Sequence, residues 1–477
     1  MQFNYIANAA LPSSSGRTIA MLDPSDGQPY DEIQRSNASD IDLAVRAARQ
    51  GLEAVWRKLG AAERGRLLMR LSLKITEHVD ELTAIEQRDC GKPTRQARAD
   101  AVALARYFEF YAGACDKLHG ETIPYLDGYS VLTWREPHGV TGHIIPWNYP
   151  MQIFGRSVGG ALAAGNVCVV KPAEDACLSL LRVAQLAVEV GFPAGTINIV
   201  TGYGHEVGDA LARHPGIDHI SFTGSPAVGT LVSQVAAQRH CPVTLELGGK
   251  SPQIVFADAD LDAAIPAIIN GIVQNAGQTC SAGSRLLVDQ AIYEPLLARL
   301  GHEFEKLRVG PAALDLDLGP LIRQSQQQRV WDFLSDAHVA HIAMVAQGKV
   351  VDEAPQTGFY QAPTLLRDVP VTHRLAQEEV FGPVLVAMSF RDEDHAVELA
   401  NATPFGLVAG VWTADGARQF RMARRVRCGQ VFINNFGAGG GVELPFGGVK
   451  SSGYGREKGV EALYGFTTLK TVAIRHG

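Results

Sequence analysis

The sequence predicts an α/β protein built on mainly parallel sheets, and three observations predict it. Short apolar runs at 140–146, 167–170, 197–200 and 219–222 read as buried strands, and helix-length amphipathic segments such as 179–190 lie between them. A second alternating region follows from about 252 to 410, with candidate strands at 252–256, 286–288, 384–389 and 408–412. Strands alternating with helices of that length require right-handed crossovers, which places ligand sites at the carboxyl ends of the strands. Two α/β domains are therefore expected, one of them with a dinucleotide site.

The chain starts with helices. Over 40–110 the positions Ile41, Leu43, Ala44 and Val45, then Leu67, Leu68, Leu71 and Leu73, recur near a 3.6-residue period among Arg, Glu and Lys. With 477 residues the chain has room for about three domain-sized units, and 46% hydrophobic against 19% charged residues excludes a disordered chain. The formal charge of −7 comes without any block of basic residues, so neither nucleic acid nor an anionic membrane is an expected partner. Its most apolar stretch, 157–170, is too short to span a bilayer and is interrupted by glycines. The first residues, MQFNYIANAALPSSSGRT, show neither a signal peptide nor a transit pattern, so a cytoplasmic location is expected. Seven cysteines, odd in number and never spaced as CxxC, argue for a reducing compartment. The fourteen histidines form no HExxH and no close pair, and no metal is expected.

Chemistry-bearing residues stand where these elements turn. Cys280 sits in GQTCSAG, directly after an apolar helix containing Ile265, Ile268, Ile269, Ile272 and Val273. A free thiol is mostly protonated at neutral pH, so a nucleophilic Cys280 needs help from backbone N–H groups or a base; a packing role is the alternative. Glu246 lies between two leucines and just before Gly248 and Gly249. Desolvation there would raise its pKa toward that of a general base, whereas a surface strand end would leave it ordinary. HISFTGSPAVG (219–229) reads as strand, tight turn and helix, with Ser225 as N-cap, Pro226 at the first helical position, and Val228, Leu231, Val232 and Val235 on the apolar face. Such a helix start suits a pyrophosphate. GYGHEVG (202–208) misses the dinucleotide fingerprint by one residue and reads as an ordinary turn before a helix. IIPWNYP ends a strand with the amide of Asn148, which suits an oxyanion donor, and VVKPAE ends another with Lys171 and Glu174 three apart, a carboxylate suited to ribose hydroxyls. Either is equally readable as a capped strand end.

Taken in order, IIPWNYP, VVKPAE, SFTGSPAVG, ELGGKSP and GQTCSAGSR, with the later EEVFGPV, NATPFGL and LPFGGVKSSGYGREKG, resemble the aldehyde dehydrogenase superfamily over nearly the whole chain. The resemblance implies two Rossmann-like α/β domains and a small β oligomerisation element. Its expected bounds are 1–115 with 138–247 for cofactor binding, 248–449 for catalysis, and 116–137 with 450–477 for oligomerisation. It further implies Cys280 as nucleophile, Glu246 as general base, and Asn148 with the Cys280 backbone N–H as oxyanion donors. Lys171 and Glu174 match the adenosine-ribose contacts, Gly224, Ser225 and Gly229 the pyrophosphate turn, and Glu379 and Phe381 the nicotinamide-ribose contacts. Ile144, Ile145, Trp147 and Leu247 are placed against the cofactor. Glu174 would repel a 2′-phosphate, so NAD is expected over NADP.

An aldehyde would then be oxidised to its carboxylic acid through a Cys280 thiohemiacetal and thioester. Arg156, with Tyr149, is the candidate substrate contact: family members acting on succinate semialdehyde carry a basic residue at the position of Arg156, which predicts a carboxylate-bearing substrate. Against that, Gln274 stands where those enzymes add a second arginine, and Arg156 is readable as a structural helix arginine. A neutral aliphatic or aromatic aldehyde is the alternative, with the glycine-rich loop 437–441 at the mouth. A cofactor-free cysteine hydrolase is the alternative of another class, disfavoured because no histidine stands near Cys280 in the sequence. A homodimer or homotetramer is expected, with the strand 467–475 pairing across subunits.

Overall fold

In the computed structural model, which describes residues 1–437 and 441–477, two large sheets each sit inside their own apolar cluster. After four short strands between residues 4 and 34 come four helices, Ala38–Ala54, Ala61–Glu77, Val79–Cys90 and Thr94–Ala114. The first starts at Asn37, whose side chain accepts from the Ser39 N–H while Asp40 bonds back to the Asn37 N–H. Its buried face is Ile41, Ala44, Val45, Ala48 and Leu52, and that of the second is Leu67, Leu68, Leu71 and Ile75. Leu43 and Leu73, expected among the inward residues, are 40% and 57% exposed. Each lies two positions from a buried leucine or isoleucine, about 200° round a helix of 3.6 residues per turn.

The first sheet runs, in spatial order, Ala9–Leu11, Asn4–Ile6, Ile197–Ile199, Val167–Pro172, Val140–Ile145, His219–Thr223, Val243–Glu246 and Gly453–Tyr454. Its five central strands are parallel, and the edge strands antiparallel. From Val140–Ile145 the chain winds outward to 167 and 197, then returns to the other side at 219 and 243. That reversal opens a crevice between the strands at 140 and 219, where open α/β sheets bind ligands. Register brings the four relevant strand ends level: Ile145 pairs with Pro172, Ile144 with Phe222, and Thr223 with Glu246.

The second sheet, Met344–Gln347, Thr364–Leu366, Val384–Phe390, Arg285–Asp289, Pro252–Val255, Val408–Trp412 and Gln430–Ile433, is parallel except for its first pair. The helix Leu261–Val273, capped by Asp260, leads from it toward the first sheet. A third, antiparallel sheet pairs Thr467–Arg475 with Tyr129–Pro137 along its whole length, and Tyr129–Pro137 with Thr122–Ile123. Gly453–Tyr454 instead closes the first sheet against Leu245 and Glu246, so the expected border at 450 falls inside a stretch that belongs with the cofactor-side strands. The 204–208 segment forms a single π turn that runs into the helix Asp209–Arg213. Among the described residues no helix is long and apolar enough to cross a membrane, and no group of three or more His, Cys, Asp or Glu could hold a metal.

Candidate active site

A cavity of about 1220 Å³ opens between the two α/β units, lined by Asn148, Tyr149, Arg156, Cys280, Phe446 and Lys458 among others. Gly437 and Gly441 line it too, while 438–440, the centre of the expected glycine-rich mouth, lie outside the described residues.

The nucleophile is delivered by a strained turn. After Val273 three successive residues, Asn275, Ala276 and Gly277, have φ of 49°, 52° and 74°. For a residue with a Cβ the left-handed region costs about 1 kcal/mol or more, so other contacts must hold it. The Asn275 N–H donates to Gln96 Oε1 at 2.9 Å, and its Nδ2 donates to the Asn148 carbonyl at 2.9 Å. Gln278 Nε2 donates to the Asn275 carbonyl at 3.1 Å, and its Oε1 accepts from the Ile322 N–H at 3.0 Å. A Cβ on Gly277 would come within 2.3 Å of the Gly382 backbone, so only glycine fits.

Asn148 is buried at the end of the strand Val140–Ile145, and its Nδ2 donates to the Gln278 carbonyl at 3.0 Å, two residues before Cys280. An amide NH₂ has two hydrogens, so one positions the loop while the other remains for an oxygen beside the thiol. Tyr149 stands 2.8 Å from Thr279 Oγ1 through its hydroxyl, tying the residue before Cys280 to the same strand end. Cys280 itself is half-buried, and burial pushes its thiol up to about 11. The charge of Arg156 opposes that rise, and Glu379 and Glu246 add to it.

Glu246 ends the strand Val243–Glu246, two strands along the sheet from Val140–Ile145, and its charge acts on Cys280. It is 2% exposed, and neither carboxyl oxygen has a hydrogen-bond partner among the described residues. Burial raises its pKa well above the usual carboxylate range, with Arg156 opposing and Glu457 reinforcing the rise. Two glycines allow the approach: a Cβ on Gly249 would lie 2.3 Å from the Cys280 carbonyl oxygen, and one on Gly447 would lie 2.8 Å from Glu246 Oε1. A glutamate on a surface strand end, the bland alternative, is not what the chain forms.

Arg156 is buried and committed. Its Nε lies 2.5 Å from Glu457 Oε2, its Nη2 donates to Thr223 Oγ1 at 3.2 Å, and its guanidinium carbon stands 4.8 Å from the centroid of the Phe446 ring. Ser221 Oγ donates to the other Glu457 oxygen at 2.6 Å. The expected substrate anchor thus has its carboxylate partner inside the protein, in line with the helix-arginine alternative.

On the opposite flank, the cofactor-side residues line the sheet's carboxyl edge. Lys171 Nζ lies 2.9 Å from Glu174 Oε2, and although burial pushes Glu174 up, Lys171 holds its pKa below the ordinary value. Ser225 Oγ accepts from the Val228 N–H at 3.4 Å, with Pro226 at the first helical position as expected. A Cβ on Gly229 would meet Leu247 Cδ2 at 2.6 Å, so glycine lets this helix sit against the strand end. Half-buried Gly224 forms the tight turn, Ile145 is buried, and Ile144 is partly so. Val228 and Leu231, expected on the buried face, are 45% and 60% exposed, because Gly229, Val232, Val235 and Ala236 take the inward positions. Trp147 meets Phe381 edge-on, with ring centroids 5.3 Å apart, and Phe381 holds a φ of 60°, unusual for an aromatic residue. Glu379 accepts from the Gly249 N–H at 3.0 Å, and burial pushes it up to about 7.

Sequence reasoning missed Glu457, Asn275, Gln278 and Lys458. Glu457 and Lys458 lie in a quoted motif, but only the return of the chain to the first sheet brings Glu457 to Arg156 and Lys458 to the cavity.

The model of the Aldehyde dehydrogenase family matches residues 11–472. The hydroxyisobutyraldehyde dehydrogenase of Mycolicibacterium austroafricanum is 41% identical over 475 residues, covering 98% of this chain and 93% of its own length. A solved structure from Burkholderia cenocepacia superimposes with a TM-score of 0.99 at 71% identity, covering 100% of both chains. PnpE solved in complex with nicotinamide adenine dinucleotide gives 0.97 at 39% identity, over 100% of this chain and 98% of its own.

Proposed function

This chain belongs to the aldehyde dehydrogenase family, and on that premise we propose that Cys280, Glu246 and Asn148 convert an aldehyde to its carboxylic acid with NAD as the oxidant. The observation that carries the reading is the meeting, at one cavity, of a half-buried thiol and an amide fixed two residues from it, with a buried carboxyl that has no hydrogen-bond partner among the described residues close enough for its charge to act on the thiol.

The residues present fit a dinucleotide. A helix start with Ser225 and Gly224, close-packed through Gly229, offers backbone N–H groups to a pyrophosphate. The exposed Val228 and Leu231 beside it offer an apolar surface to a planar base, and the anionic Glu174 held by Lys171 suits ribose hydroxyls while repelling a 2′-phosphate. NAD is therefore favoured over NADP. When bound, it supplies the acceptor for the hydride that leaves the aldehyde carbon.

The protein's own part follows from its geometry. Cys280 loses its proton and its sulfur adds to the carbonyl carbon, and the resulting alkoxide is met by the second Asn148 N–H and the Cys280 backbone N–H. Loss of hydride leaves a thioester on Cys280. Glu246, made more basic by burial, deprotonates the water that releases the acid and restores the thiolate. Arg156 pairs with Glu457 and acts as a fixed positive charge that eases ionisation of Cys280 and Glu246.

All seven cysteines are free, in keeping with a reducing cytoplasm. The outer edge of Thr467–Arg475 is exposed, and pairing there with a second copy would make a homodimer or a dimer of dimers. The test is NADH formation by the purified protein from an aldehyde panel, run in parallel with NADP. Faster initial rates with NAD are expected; no reduction of either cofactor with any aldehyde would refute the reading.

A further inference from the structure

Beneath the Cys280 wall lies a cluster of charges that the chemistry above does not use. Lys92 is buried between two buried carboxylates, Glu86 and Asp100. Its Nζ donates to Glu86 Oε1 at 2.9 Å and to Asp100 Oδ2 as well. Gln152 Nε2 donates to the other Asp100 oxygen at 2.5 Å, and Ser179 Oγ to the other Glu86 oxygen at 3.2 Å. Four helices thus close on one ammonium: Val79–Cys90 brings Glu86, Thr94–Ala114 brings Asp100, Pro150–Ala164 brings Gln152 and Leu178–Glu189 brings Ser179. Although burial pulls Lys92 down, Asp100 and Glu86 hold its pKa well above the ordinary value, so it stays charged. Three charges taken out of water are a poor way to stabilise a fold, since apolar residues of similar volume often do as well or better. The use of the charge shows in what lies against it.

Lys92 Nζ stands over the Tyr149 ring, 4.3 Å from its centroid, where a desolvated ammonium holds an aromatic face electrostatically. The same turn makes a second contact two residues earlier: Cys90 Sγ donates to the Trp147 carbonyl at 3.3 Å. Gly91 between them holds a φ of 70°, and a Cβ there would meet Pro320 at 2.7 Å, so the turn is braced from its other side. Trp147 and Tyr149 flank Asn148, the proposed oxyanion donor. At its far end the Tyr149 hydroxyl reaches Thr279 Oγ1 at 2.8 Å, next to Cys280. Gln96, four residues after Lys92, supports the nucleophile loop directly, its Oε1 accepting from the Asn275 N–H at 2.9 Å. One cation therefore underlies the segment that carries the oxyanion donor, and the ring it holds is tied to the residue before the nucleophile.

We propose that Lys92 is a positioning residue for the acylation half of the reaction: its ammonium, held by Glu86 and Asp100, fixes the Tyr149 ring and, through it, the spacing of Asn148 and Cys280 at which the carbonyl is attacked. This rests on the aldehyde-oxidising reading of the cavity and adds to it a residue that acts only through Tyr149. Deacylation, which falls to Glu246, uses none of these contacts and is spared.

The test is single-turnover NADH formation by the full-length enzyme with NAD, enzyme in excess over aldehyde. Lys92→Met alone would leave two carboxylates buried without their cation, at a cost that threatens the fold. The charges are therefore removed together, as Glu86→Gln, Lys92→Met and Asp100→Asn in one chain, which keeps acceptor oxygens for Ser179 and Gln152. The single-turnover rate should fall about 10- to 50-fold, the scale of a small misplacement of reacting groups. Decay of the acyl-enzyme, followed by quenching and mass spectrometry, and the melting temperature should hold. A single-turnover rate within about two-fold of wild type overturns the proposal, and so does an equal loss in acylation and deacylation, which marks the triad as structural. Two ring variants leave the triad charges whole: Tyr149→Phe keeps a face over Lys92, and Tyr149→Leu does not. The leucine variant should acylate about ten-fold more slowly than the phenylalanine variant; equal rates overturn the proposal whether or not the triad variant folds. Failure of every aldehyde with the wild type, by contrast, sinks the aldehyde-oxidising reading itself.

Discussion

The two walls of the catalytic site, one carrying Cys280 and the other Glu246, are built on opposite plans. On the Cys280 wall the polar groups are tied down: Asn275 bonds to Gln96 and Asn148, Gln278 to Asn275 and Ile322, Asn148 to Gln278, and Tyr149 to Thr279. These bonds hold a backbone with two left-handed residues that carry Cβ atoms. On the Glu246 wall the carboxyl is buried with neither oxygen hydrogen-bonded among the described residues, and glycines rather than hydrogen bonds bring it close. A nucleophile that must meet a carbonyl at a set distance gains from preorganisation. A base that must take up and give back a proton gains from a high pKa, which hydrogen bonds to its anion would lower. Order on one side and deprivation on the other thus serve two different steps.

Breaking either wall should give a different deficit. The largest is expected from Cys280→Ala, which removes the bond-forming atom: NADH formation should fall about 10⁴-fold or more, read as the steady-state rate at saturating aldehyde. Next, Asn148→Ala removes an oxyanion donor and a loop tether together, and kcat should drop about 10²- to 10³-fold with the Cys280 thiol still present by titration. A change of less than about tenfold would mean the amide only holds the loop.

The same comparison sets the pH dependence. Because Cys280 is pushed up to about 11 it is protonated at neutral pH, and because burial raises Glu246 as well, both gain their reactive form as pH rises. Stopped-flow acylation rates should therefore climb between about pH 6 and 9, by up to about tenfold per unit; a flat or falling profile would contradict the assigned protonation states. The smallest effect is expected from Tyr149→Phe, which loses one hydrogen bond to Thr279: about 2- to 10-fold in kcat/KM, with little change in melting temperature.

Much of this was legible in the sequence, and the reasons are physical. Strands at 140, 167, 219 and 252 announce themselves because buried parallel strands are uninterrupted apolar runs; Glu246 and Asn148 stand where strands end, and Cys280 just after an apolar helix. Ser225 was readable as an N-cap because capping is local. Leu43, Leu73 and Leu231 misled because composition within a window does not fix which side of a helix faces inward. The ion pair of Arg156 was illegible for a longer-range reason: its partner lies 301 positions later, and only the pairing of Gly453–Tyr454 with Leu245 and Glu246 brings Glu457 to it. Lys458 was hidden the same way, since a left-handed φ at a lysine leaves no mark in the sequence.

The division of labour between the two walls is tested most directly by Glu246→Gln in rapid-mixing kinetics with NAD and a fast aldehyde. If Glu246 serves deacylation and the Cys280 wall serves acylation, the variant should show a burst of NADH approaching one equivalent per active site, followed by turnover reduced about 10²- to 10³-fold. A variant that loses its burst together with its turnover, or one that turns over at the wild-type rate, would contradict it.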